Sequence, residues 1–144
     1  MSIRKWRLRQ IQNSALAHFR YSLGMVDAEP AQGMFNWACF DNAVQWATTR
    51  NSRIADGADR WGVCEVILVS GGTPVLHYVN SFQSRLFETT IGWQAEHCEY
   101  YKLRDINPKD WHRIGTEVDN AMSLWTKFFT TWFDRSVLRI DRAL

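Results

Sequence analysis

Two apolar runs joined by a glycine pair constrain this chain more than any other feature. Val63-Cys64-Glu65-Val66-Ile67-Leu68-Val69 and Pro74-Val75-Leu76-His77-Tyr78-Val79 flank Gly71-Gly72-Thr73. Short β-branched runs separated by such a turn predict a β-hairpin. The pattern places strands over 61–70 and 74–82, then over 84–90 and 96–106, with Gly92-Trp93 between the last two. The expected sheet is an antiparallel meander of about four strands.

Helical spacing brackets this sheet. Ile3, Leu8, Ile11, Ala15, Phe19 and Leu23 recur along one stripe, which predicts a helix over 3–23. Residues 24–35, with Gly24, Pro30 and Gly33, read as a loop. A second helix is expected from Asn36, as its N-cap, to near Thr49, followed by a polar loop over 50–60. Asn107 and Pro108 open a further helix that runs toward the C-terminus with a break near Asp134. Helix, helix, strands, helices is the order of a single α+β domain over residues 1–144.

Composition narrows the function classes. An apolar fraction of 46% with 22% charged residues describes a globular chain. A net charge of +2 is too small to point to nucleic acid. The basic residues are uneven, since Arg4, Lys5, Arg7, Arg9 and Arg20 precede Asp27, the first acid. No run reaches the 18 or so apolar residues of a membrane span, and the N-terminus lacks the pattern of a signal peptide. Cys39, Cys64 and Cys98 form an odd set without paired spacing, so a reducing, cytoplasmic setting is expected.

The candidate chemistry centres on Cys39 at a helix start. Cys64 and Cys98 lie within strands and read as inert buried thiols. Helix-start amides and the helix dipole favour a thiolate, so Cys39 is the candidate nucleophile. His77, mid-strand, is expected to face the Cys39 helix and act as general base and acid. Glu88, between apolar neighbours on the next strand, needs a partner and is the candidate to orient the imidazole, with Asn80 as the substitute. Gln32 and Asn36, seven and three positions before Cys39, are candidates to complete an oxyanion hole beside the backbone amides. His77, His97, Cys98, Glu99 and His112 show no zinc-ligand spacing, so no metal is expected.

Cys39-Phe40-Asp41-Asn42-Ala43 heading a helix, His77 in a strand after a glycine turn, and Glu88-Thr89-Thr90-Ile91-Gly92 together resemble the papain-like and transglutaminase-like cysteine superfamily. The resemblance covers about residues 30 to 106. It implies a cysteine helix packed on an antiparallel sheet, a Cys39–His77–Glu88 triad without a cofactor, and a protein or peptide substrate. It departs from the superfamily pattern in having Glu where Asp is commoner, and in lacking a clearly placed oxyanion side chain before the cysteine.

A reading of a different class rests on the two ends of the chain. Trp125, Phe128, Phe129 and Trp132 share a helical face that suits a homo-oligomer or a protein partner. With the basic N-terminal helix, that face defines a non-catalytic binding or assembly module, for example a phage virion or scaffold component, in which Cys39 is merely packed.

Overall fold

The computed structural model describes residues 1–36, 38–115 and 129–140. Helix α1 spans Ile3–Ser22, opened by Ser2, whose hydroxyl accepts from the Lys5 amide. Its buried stripe is Ile11, Ala15, Leu16 and Phe19. The chain then turns extended, and the expected loop over 24–35 contains two very short strands: β1 at Met25–Val26 and β2 at Ala28–Pro30. Helix α2 spans Cys39–Asn51, and the hairpin follows as β3 (Gly62–Ser70) and β4 (Thr73–Phe82). β5 is Arg85–Glu88 and β6 is Glu99–Ile106.

The sheet is mixed and six-stranded, in the order β1-β6-β3-β4-β5-β2, rather than a four-stranded meander. Every pairing is antiparallel except that of β2 with β5. β1 and β2 lie at opposite ends of that order, yet only Asp27 separates them in the chain. The sheet must therefore curl so that its two short edge strands approach each other.

Curling creates two distinct faces. On the outer face α1 packs through Ala15, Leu16 and Phe19 against Ile67, Val69 and Tyr101. Beside it α2 packs through Phe40, Ala43 and Ala47 against Val63, Tyr78 and Ile106. On the inner face Cys64, Val66, Leu68, Val79, Leu86 and Tyr100 gather around Ala95. β3 reads as nearly continuous apolar sequence because both of its faces are covered.

Other boundaries shift for local reasons. Gly92–His97 forms a 3-10 turn, so the expected strand over 96–106 begins only at Glu99, and His97 and Cys98 precede it. Gly92 takes a positive φ of 55°, close against Gly33, where a side chain would be both strained and crowded. Asn107 does cap the following turn, its side chain accepting from the Lys109 amide. Of the aromatic C-terminal stripe, Trp125 and Phe128 lie outside the described residues. Phe129 packs against His18 and Phe19 of α1, while Trp132 is exposed. The expected break near Asp134 falls earlier, at Thr130-Thr131, because Thr131 and Asp134 form a capping box that opens a new short helix, Trp132–Ser136. Asp134 also holds Arg7 through two bonds of 2.7 and 2.9 Å. Among the described residues no helix is long and apolar enough to cross a membrane.

Candidate functional site

The site is built where the first residue of α2 meets the inner row of β4 and the end of β5. α2 starts at Cys39 because Ala38 leaves helical geometry just before it. Asn36 does not occupy the N-cap. Its Oδ1 instead accepts from the Ala38 amide at 3.2 Å and from Asn42 Nδ2 at 2.8 Å, tying the approaching loop to the helix. Asn42 Nδ2 also donates to Thr90 Oγ1 at 3.0 Å, so the start of α2 is fixed to the segment that follows β5.

His77 pairs with Val66 across the hairpin and belongs to the inner row with Val75 and Val79. α2 rests on the opposite row, through Tyr78 and Asn80. The sequence-based expectation that His77 faces the body of that helix is thus corrected. Only its first residue, Cys39, lies near enough to act on the charge of the imidazole. His77 Nε2 lies 2.8 Å from Glu88 Oε2, with His77 only 5% exposed and Glu88 fully buried.

Glu88 is satisfied at both oxygens. Oε1 accepts from the Thr90 and Ile91 amides at 2.7 and 3.2 Å. Oε2 accepts from the Tyr100 hydroxyl at 3.0 Å as well as from His77. Burial alone would raise the carboxyl pKa, but the imidazole and the two backbone amides outweigh it and hold Glu88 below its ordinary range. Burial likewise opposes a charged His77. The interactions with Cys39 and Glu88 override it and lift the imidazole to about 9. The pair is therefore a buried carboxylate facing an imidazolium, with every carboxylate oxygen occupied.

The remaining candidates do other things. Asn80 does not contact the imidazole. Its Nδ2 donates to the carbonyls of Ala43 and Gly62 at 2.8 and 3.0 Å, and its Oδ1 accepts from Thr89 Oγ1. Three positions from His77, it necessarily points to the other face of the strand, where it clamps α2 onto the sheet. Gln32 is exposed and donates to Met34 Sδ. Asn36 is committed to Asn42 and Ala38.

Cys64 is sealed in the inner face, and burial pushes its thiol up to about 12. Tyr100, Thr90 and Asn42 escape sequence reading. The one signal for Asn42 is a polar residue three positions after Cys39 on the buried side of the helix.

Taken chemically, the site sets a half-buried thiol against an imidazole whose Nε2 is fixed by a carboxylate. Such a ring can exchange a proton through its other nitrogen. No protein-family model, curated protein or solved structure matches the chain.

Proposed function

We propose that the chain is a cysteine-dependent hydrolase or acyltransferase with a papain-like core, acting on peptide, isopeptide or amide bonds. The observation that carries this reading is that one buried imidazole is fixed at Nε2 by Glu88 and has Cys39 near enough to act on its charge. With Nε2 committed to Glu88, Nδ1 is the nitrogen that holds the proton given up by the Cys39 thiol, which leaves an imidazolium beside a thiolate. Cys39 sulfur then attacks the carbonyl carbon, and the oxygen gains the negative charge. The first-turn amides of α2, without intrahelical acceptors, would face that oxyanion. Collapse of the intermediate breaks the C–N bond, and the imidazolium returns its proton to the departing amine. Water or a second amine resolves the thioester by the reverse path, so hydrolysis and acyl transfer share one machinery.

The alternative, an assembly module with a basic N-terminal docking face, is weakened by where the arginines go. Arg7 is bound to Asp134, Arg20 to Glu99, and Arg4 to the Arg139 carbonyl.

Iodoacetamide labelling of the native protein, mapped by mass spectrometry, tests the reading. Cys39 labels faster than Cys64 and Cys98, and His77→Ala slows that labelling by at least about tenfold. If Cys39 labels only after denaturation, the catalytic reading is overturned and the assembly module takes its place.

A further inference from the structure

A second feature lies along the same helix and is not used by the chemistry above. A cleft of about 360 Å³ is lined by Gln32, Asn42, Trp46, Arg50, Arg53 and Thr89, among others. Positions 42, 46, 49 and 53 are spaced three or four apart, so one stripe of α2 and its C-terminal extension forms the floor. Counted back by one turn, that stripe reaches Cys39. Asn42 is shared between the two features, since it walls the cleft and also bonds Thr90 beside the Glu88 cradle.

The cleft carries positive charge that the described protein does not neutralise locally. The Arg50 guanidinium lies 4.4 Å from the centre of the Trp46 ring, a stacked position that leaves its edge donors open. Asp56, the nearest acid in sequence to Arg53, is bound to Arg60. The Trp46 indole N–H finds no acceptor among the described residues. Asn, Gln and Thr side chains supply further hydrogen-bonding groups on the walls.

We infer that this cleft is the substrate subsite and binds a carboxylate on the peptide, gripped by Arg50 and Arg53. The inference rests on the catalytic reading only for the meaning of "substrate"; the carboxylate site stands on the cleft itself. Geometry sets where the acid must lie. Cys39 and Arg50 are eleven residues apart, or about 16 Å along a helix axis. An extended peptide advances roughly 3.3 Å per residue. Allowing for the reach of an arginine side chain, the acid sits about three to five residues from the reacting carbonyl.

The test uses the full chain as Cys39→Ala and capped Ala/Gly peptides carrying one Glu, or one Gln in its place. Binding is followed by the tryptophan indole resonances in NMR, with Trp46→Phe assigning the Trp46 signal. The Glu peptide binds at least about tenfold tighter than the Gln peptide and moves the Trp46 resonance. The double variant Arg50→Gln, Arg53→Gln abolishes that preference while its other indole resonances keep their dispersion. The Gln peptide with an uncapped C-terminus forms a separate arm, and a gain there assigns the carboxylate to a chain end rather than a side chain. Equal binding of all three peptides, or a Glu preference that survives the double variant, overturns the inference. Iodoacetamide labelling of Cys39 in the chain with native Cys39, Arg50 and Arg53, set beside its Glu preference, separates the two readings. Labelling that persists while the preference is absent refutes the subsite alone; an intact preference with an inert thiol refutes the catalytic role alone.

Discussion

His77 and Glu88 stand where neither is tolerable alone. A carboxylate with no exposure and an imidazole with 5% exposure would each suffer a large desolvation cost, and each removes the other's. Glu88→Gln keeps the shape but leaves the imidazolium without its counter-charge. Breaking such a pair costs on the order of 3 kcal/mol, which urea denaturation would show as a lower midpoint at unchanged slope. Alkylation of Cys39 falls with it.

The pH dependence follows from the directions of the two shifts. Because the folded His77 is raised to about 9, the stability it contributes is complete below its unfolded value of about 6.5 and is lost as pH rises through about 9. Glu88 is lowered, so its contribution holds above its unfolded value of about 4.3 and is lost as pH falls below it. The stability gap between the native chain and His77→Gln, measured by denaturation across that range, narrows from neutral pH toward alkaline pH. A gap that widens contradicts a charged imidazole. At this scale the sequence was informative where a residue type clashed with its neighbours: an acid among apolar residues had to have a partner. It was silent about Tyr100 and the Thr90 and Ile91 amides, because a hydroxyl from another strand and two backbone donors leave no mark in spacing.

At the scale of elements, α2 is aligned by two polar fasteners. Asn36, Asn42 and Thr90 hold its first turn, while Asn80 binds the Ala43 carbonyl one turn further on. Asn80 is fully buried and also joins Gly62 and Thr89, so it ties the helix to β3 and to the segment after β5. Asn80→Ala leaves the buried Ala43 carbonyl and the part-buried Gly62 carbonyl without that donor, at a cost of roughly 2–4 kcal/mol. The expected result is a lower thermal midpoint together with slower Cys39 alkylation under native conditions. A drop in stability with undiminished alkylation would show that the clamp does not position the thiol.

The long elements were legible because periodicity runs through them: α1, α2 and the β3–β4 hairpin lie within a few residues of their expected bounds. β1 and β2 were not. Two and three residues cannot show alternation, and Pro30 in β2 is a residue that usually argues against a strand. The face of His77 was misjudged for a related reason. Alternation tells which residues share a side, but only packing tells which side the helix covers.

The whole molecule depends on those two illegible strands. By joining β6 on one side and β5 on the other, residues 25–30 close the sheet around its inner core and lead the chain, past the Gly33–Ile91 bridge, to Cys39. Closure and site assembly are therefore one event: if the seam opens, the inner face loses its cover and α2 loses the path that brings its first residue to the imidazole. Val26 and Ala28 pack against the inner cluster that contains Cys64, which is itself without exposure and has its thiol pushed up to about 12 by burial. A carboxylate at either position would be drawn into that cluster without a partner. Ala28→Asp and Val26→Asp are each expected to cost about 2–4 kcal/mol.

Cys64 reports the opening directly. In the native chain it resists a disulfide reagent at neutral pH, while in either variant it reacts at a rate set by seam opening. Arg85→Ala provides the control. It removes an exposed ion pair with Glu29 beside the same seam, so it should leave both stability and Cys64 protection nearly unchanged. If Ala28→Asp destabilises the chain but Cys64 remains protected up to global unfolding, the seam does not open separately. The sheet would then behave as one cooperative unit whose shortest strands are as firm as its longest.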